Sequence, residues 1–350
     1  MDHIRLFKEL TEAFGPPGFE DDVRDILKRY LSAFDLSYDR LGSVIASKTG
    51  RGGPRIMVAA HMDEVGFIVK DITKEGYIKF APIGGWWPLV MLGQRVIVRS
   101  RNKDYHGVIG STPPHILKPE QRKKIPDISD MYIDIGVIED KGAKELGIRK
   151  GDPIIPFTVF TELENNVFAA KAWDNRIGCA VLAGVAERLA KEDFPSTLHL
   201  VGTVQEEVGL RGARTSAQLI KPDIAFAVDV SLALDAPKKA SEDEKLGGGV
   251  AIIVQDNSMI ASRRLVEFAQ AIAERERIPY HLATVRGGYD TGIIHLVNQG
   301  VPSLPLGIPS RYIHSNVSYI KKEDYDATVE LLSAMIKDLN NETYKKLIDF

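Results

Sequence analysis

At 350 residues the chain exceeds the usual size of a single core, so a large domain with a smaller companion is expected. A hydrophobic share of 44% with 27% charged residues is ordinary for a globular protein, and a net charge of −3 argues against nucleic acid or an anionic membrane as partner. One cysteine, Cys179, excludes an internal disulfide and fits a reducing, cytoplasmic setting; no signal-peptide apolar core opens the chain, and no run of 18 apolar residues occurs.

A first helix is expected from Ile4 to Ala13, stopped by Gly15-Pro16-Pro17-Gly18. A second runs from about Asp21 to Phe34, with Val23, Ile26, Leu27, Tyr30 and Leu31 on one face. Strands follow at Ser43 to Ser47 and Arg55 to Ala60, the second leading into His61-Met62-Asp63-Glu64. From Gly66 to Thr161 the texture changes. Short β-type runs at 67–69, 77–80, 95–98, 107–109 and 132–135 are separated by turn residues, with one helical candidate at 141–146. This reads as a small β-rich unit. Its polar stretch 113–130 is long for a connection and reads as a functional or mobile loop, and His115 within it is kept as a group near the site.

After Ala170 helices and strands alternate. Helices are expected at 177–191, 212–220, 263–277, 291–298 and 322–339, and strands at 198–204, 224–230, 250–254, 281–285 and 303–306. The alternation implies an α/β fold, a mostly parallel central sheet flanked by helices, built from 1–65 and 165–350 with the β-rich unit 66–164 inserted.

Sites in such sheets collect beyond the carboxyl ends of strands. His61 and Asp63, Glu206 and Glu207, Asp229 and His314 follow or end expected strands, and Asp174 stands between a strand-like run and a helix. Taken singly each has a plain structural role: an N-cap for Asp174, a hydrogen-bonded core histidine for His61, a turn residue for Asp229. Taken together, so many ionisable groups would repel strongly in a dry site unless cations lay among them. Two divalent ions resolve this, and histidine with carboxylate favours zinc, cobalt or manganese over calcium or magnesium. The adjacent Glu206 and Glu207 leave their strand in different directions, so that one can ligate while the other moves protons. Asp63 is expected to accept a hydrogen bond from the free ring nitrogen of His61. Cys179, in the apolar run 177–186, reads as an inert buried thiol, and His199 and His295 as structural.

The ordered set Ala59-Ala60-His61-Met62-Asp63, Trp173-Asp174-Asn175-Arg176, Gln205-Glu206-Glu207-Val208-Gly209, Val228-Asp229 and Arg311-Tyr312-Ile313-His314-Ser315 resembles the tetrahedral (TET) aminopeptidases. These are co-catalytic metallo-aminopeptidases that include glutamyl and deblocking enzymes. The likeness runs along nearly the whole chain and takes in Ala81 to Gly85, Pro113-Pro114-His115 and Gly209 to Ser216. It implies a peptidase domain carrying a β-barrel-like dimerisation domain, two divalent ions (zinc or cobalt), peptide substrates, and dimers assembling into a hollow tetrahedral dodecamer. Asp174 would bridge the ions, His61 and Asp229 would complete one, Glu207 and His314 the other, and Glu206 would be the general base and acid.

One segment departs from the pattern: in Arg286-Gly287-Gly288-Tyr289-Asp290 a tyrosine stands where relatives often carry a small residue. Tyr289 and Arg286 are therefore expected to shape the substrate pocket. Arg286 or Arg311 would suit an acid-selective, glutamyl-type pocket, and Ile308 or Leu306 a neutral one; a broad neutral or aliphatic preference is expected. The alternatives are another di-metal amidohydrolase, such as a deacylase or carboxypeptidase, and an inert metal-binding protein. Against the inert reading stands Glu206, which has no structural task if Glu207 ligates.

Overall fold

Every second residue of the strand Arg55–His61 faces the same way, and both faces are apolar. Ile56, Val58 and Ala60 join one core cluster, while Met57 and Ala59 join another on the opposite face. A strand buried on both faces needs helices on both sides, and that requirement organises the large unit. The computed structural model describes residues 1–137, 140–237 and 241–349.

The central sheet has eight strands in the order Asp35–Tyr38, Val44–Lys48, Thr197–Thr203, Arg55–His61, Ile224–Leu232, Ser303–Ser310, Val250–Gln255, Tyr280–Thr284. Its four middle members, from Thr197–Thr203 to Ser303–Ser310, are mutually parallel. Antiparallel joints flank them on both sides, at Val44–Lys48 and at Val250–Gln255, so the sheet is mixed with a parallel centre. One face is covered by His3–Glu12, Asp21–Tyr30, Trp173–Leu189, Arg263–Glu276 and Lys322–Asp338. Arg211–Ile220 and Thr291–Ile294 cover the other.

Trp173–Leu189 is the innermost helix, buried at nearly every position from Trp173 to Ala186. The first helix is capped by the Asp2 side chain, which accepts from the Arg5 amide, and it buries Leu6, Phe7 and Leu10. The second ends at Tyr30, short of the expected Phe34. Thr291–Ile294 is also shorter than expected, and Ser303–Ser310 is longer. The edge strand Asp35–Tyr38, the strand Ser318–Lys321 and the helix Asn341–Ile348 were not expected. No helix among the described residues is long and apolar enough to cross a membrane.

The β-rich stretch closes into a six-stranded barrel, ordered Gly66–Ile72, Ile78–Ile83, Tyr132–Asp134, Asp104–Gly110, Arg95–Arg99, Pro153–Pro156. Its interior is a separate apolar cluster that includes Phe67, Phe80, Val96, Val98, Ile109, Ile133 and Ile154. The barrel thus leaves the main sheet after His61 and returns before Trp173, which brings its first turns against the carboxyl ends of the central strands.

Candidate metal centre

The parallel strands deliver the site residues to one edge. His61 is the last residue of its strand, Asp229 lies in Ile224–Leu232 opposite Gly307, and Glu206 and Glu207 follow Thr197–Thr203. His314 lies just past Ser303–Ser310 in the left-handed region (φ 56°). Asp174 opens the innermost helix with extended backbone (φ −79°, ψ 102°), and its peptide bond to Asn175 is cis. All of them line one cavity of about 550 Å³, together with Leu210, Ser231, Arg286, Tyr289 and Ile313.

Asp174 occupies the middle. Its Oδ1 is 3.2 Å from His61 Nε2 and its Oδ2 is 3.2 Å from His314 Nε2. On the first side, Asp229 Oδ2 is 3.5 Å and Glu206 Oε2 3.9 Å from His61 Nε2. On the second, Glu207 Oε1 is 3.5 Å from His314 Nε2. Both imidazoles are held by carbonyls, which can only accept. His61 Nδ1 donates to the Asp63 carbonyl at 3.0 Å, and His314 Nδ1 donates to the Gly85 carbonyl at 2.8 Å. Each Nε2 therefore faces the cavity, and in the neutral ring its lone pair is free for a cation, the arrangement a metal-ligating histidine requires.

Gly85 follows the barrel strand Ile78–Ile83, and a Cβ there would lie 3.0 Å from His314 Nδ1, closer than ordinary contact. At the neighbouring Gly84 (φ +80°) a Cβ would lie 3.0 Å from Glu207 Oε2.

Asp63 behaves differently from expectation. Its carboxylate stands 3.6 Å from His61 Nδ1, and the bond to that nitrogen is made by its backbone carbonyl instead. The buried carboxylate accepts from the amides of Glu206 and Glu207, each at 3.0 Å. The Asp63 carboxylate thus holds the Glu-Glu turn, while its carbonyl holds the imidazole.

Electrostatics make the centre a demand for cations. Burial pushes the Glu207 carboxyl up to about 8, with the charge of Asp174 adding to it. Burial likewise takes Asp229 to about 7, and lifts Glu206 well above the carboxylate range with Asp229 and Glu207 adding. Burial opposes protonation of His314, yet the hydrogen bond and charge of Asp174 carry it up to about 10. For Asp174, burial is outweighed by the two imidazoles, which hold its carboxyl far down. With all four carboxylates ionised, negative charge would be in excess in a space that cannot solvate it, so without cations the groups hold protons instead. Glu207 Oε1 is buried with no hydrogen-bond partner among the described residues, so the donor set fits cations: imidazole nitrogens and carboxylates, one of them unspent. Ligand-type atoms of His61, Glu206 and Asp229 lie within 4.8 Å of one another, as do those of His61, Asp174 and Glu207.

The substrate-pocket expectations divide. Arg286 and Tyr289 line the cavity, and the Tyr289 hydroxyl donates to the Val230 carbonyl at 3.1 Å. Ile308 and Leu306 are fully buried in the sheet and do not line it. Arg311 is turned to Asp235 through two bonds of 2.8 and 2.6 Å and is likewise absent from the lining. His115 sits exposed in the short turn Pro114–Ile116, away from the cavity.

Three supporting groups gave no local signal in the sequence. Glu20 accepts from the Gln205 amide at 3.1 Å. Buried Asp290 accepts from the Thr203 hydroxyl at 2.6 Å, while its Oδ1 has no hydrogen-bond partner among the described residues. Glu64 lies buried between Lys171 (2.7 and 2.8 Å) and Arg176 (3.1 Å), tying the strand end to the residues flanking Asp174. Cys179 is buried, its thiol donates to the His61 carbonyl, and burial pushes it up to about 12, as an inert thiol should be.

Comparison with known proteins places the whole chain in a family. The family model for M42 glutamyl aminopeptidases matches residues 42–331. The glutamyl aminopeptidase of Lactococcus lactis is 38% identical over 359 residues, covering 100% of both chains. A TET aminopeptidase from a marine sediment archaeon of the Thaumarchaeota superposes with a TM-score of 0.96 at 43% identity, over 99% of this chain and 100% of that one. The TET1 peptidase of Pyrococcus horikoshii, which can assemble into a tetrahedron or a large octahedral shell, superposes with a TM-score of 0.88 at 31% identity, over 97% and 100%. With the carboxylate–imidazole centre at the strand ends and a likeness that extends over the whole length, the chain belongs to the M42 glutamyl aminopeptidase family of metal-dependent peptidases.

Proposed function

We propose that the chain removes N-terminal residues from peptides with two divalent cations, zinc or cobalt, shared by Asp174. The observation that carries this reading is the division of Asp174 between two imidazoles, 3.2 Å from each. His61 and Asp229 would complete one ion and Glu207 and His314 the other. Bound there, the cations would acidify a water and polarise the scissile carbonyl. Glu206 lines the same cavity, where its carboxylate would take the proton of the attacking water and hand it to the leaving amine. The carboxylates around it favour a substrate with a free, cationic amine over a blocked one.

For the side chain of the departing residue we favour an acidic group over the neutral one expected from sequence. Arg286 lines the cavity and has no ion-pair partner among the described residues, whereas both apolar candidates, Ile308 and Leu306, are sealed in the sheet. The same reading makes 66–164 a dimerisation domain on a catalytic domain of 1–65 and 165–350, assembled as a tetrahedral dodecamer in the cytoplasm.

The test is a panel of Leu-, Glu- and Lys-p-nitroanilide with N-acetylated counterparts, run before and after chelation. Activity should vanish with the metal and return on its restoration, only free-amine substrates should react, and Glu should lead. Equal rates on acetylated substrates would overturn the aminopeptidase reading. An Arg286→Ala variant that kept the Glu-to-Leu ratio would overturn the acidic preference.

A further inference from the structure

Three successive backbone N–H groups behind the catalytic carboxylates point at two buried acids. The Gln205 amide donates to Glu20 Oε1 at 3.1 Å, the Glu206 amide to Asp63 Oδ1 at 3.0 Å, and the Glu207 amide to Asp63 Oδ2 at 3.0 Å. Gln205 itself is in the left-handed region (φ 57°), a conformation unfavourable for a non-glycine residue. Such a turn persists only when its surroundings hold it.

Glu20 stands at the N-cap position of the helix Asp21–Tyr30, yet its side chain does not cap that helix. It turns back, accepting from the Gly18 amide at 2.9 Å with the same Oε1 that receives the Gln205 amide. Glu20 is 4% exposed and Asp63 is fully buried. The turn that carries Glu20 is itself fixed, because the Gly15 carbonyl accepts from the Glu64 amide and from Arg176 Nη2.

We propose that Glu20 is a positioning residue for Glu206, clasping the amide at the head of the Gln205–Glu207 turn so that Glu206 faces the cavity while Glu207 faces His314. This rests on the reading of Glu206 as the proton-transferring group. Glu20 does not line the cavity and touches no candidate ligand, so its loss should spare metal binding and substrate affinity and strike turnover.

The test compares Glu20→Gln, Glu20→Asp and Glu20→Ala in the full metal-loaded protein, with kcat, KM, bound metal per chain and the thermal midpoint measured for each, and Glu206→Gln alongside. Gln keeps an acceptor oxygen at the same reach, so Glu20→Gln should stay within about threefold of wild type. Asp keeps the charge but is one methylene too short. Glu20→Asp and Glu20→Ala should each lose roughly 10- to 100-fold in kcat, the scale of a displacement of about 1 Å, with KM and metal content unchanged. If Glu20→Ala does not fold, the near-isosteric Gln and Asp pair decides the matter. Wild-type kcat in Glu20→Asp, a Gln variant as slow as the Asp variant, or a loss of kcat that follows loss of metal would overturn the positioning role. Wild-type turnover in Glu206→Gln would instead overturn the function on which it rests.

Discussion

Asp174 faces two imidazoles at once, so its removal should differ in kind from that of its neighbours. Asp174→Ala is expected to lose both metal equivalents, measured by elemental analysis after gel filtration, while Asp229→Ala should lose one. Retention of two equivalents without Asp174 would contradict the shared-carboxylate geometry. Glu206→Gln is expected to keep its metal and lose about 10²- to 10⁴-fold in kcat, the usual contribution of a positioned acid–base group. These side chains were visible in the sequence because each stands at or just beyond the end of an apolar run, where strand geometry exposes it. The partner of Asp63 was not: a short His-x-Asp spacing invites a contact with the ring, whereas the carboxylate serves amides 143 and 144 residues away. Glu20 and Gly85 were hidden for the same reason, since their partners arrive from the far side of the chain.

Periodic apolar runs revealed most strands and helices, but periodicity carries no direction. The antiparallel pairing of Val250–Gln255 with Ser303–Ser310 is set by the connections around it, and no local pattern announces it. The edge strand Asp35–Tyr38 escaped notice because it is largely exposed and lacks an apolar stripe. In Thr197–Thr203, two strands in from that edge, His199 offers a test remote from the metal centre. Its Nδ1 pairs with Ser47 Oγ at 2.8 Å, and burial, with Arg55 nearby, lowers its pKa from 6.5 to about 4. Between those values the unfolded chain binds a proton that the native strand refuses, so this group's share of stability is full above pH 6.5 and falls as pH drops towards 4. Urea midpoints of wild type and His199→Gln at pH 7, 5.5 and 4.5 should show the variant losing less stability on acidification, by a few kcal/mol at most. Parallel slopes for the two proteins would refute this.

At the scale of the whole molecule, the barrel and its loops carry several large apolar side chains in the open. Trp87, Leu89 and Val108, with Ile116 and Ile125 on the adjoining loop, are 57%, 47%, 44%, 75% and 54% exposed. On the dodecameric reading proposed above, these are side chains that a neighbouring copy would cover. Sedimentation velocity is expected to show a dodecamer of the 38.7 kDa chain, with Trp87→Asp shifting material to smaller species. A wild-type protein sedimenting as a monomer at micromolar concentration would refute the assembly. The hold of the Gly85 carbonyl on His314 has a further consequence for how such a molecule changes over generations. The insertion cannot be exchanged as an independent module: a graft from a relative will work only if its glycine turn returns in register beneath the imidazole. Drift in either unit must therefore be answered in the other, and the seam between them should be the slowest part of the chain to diverge.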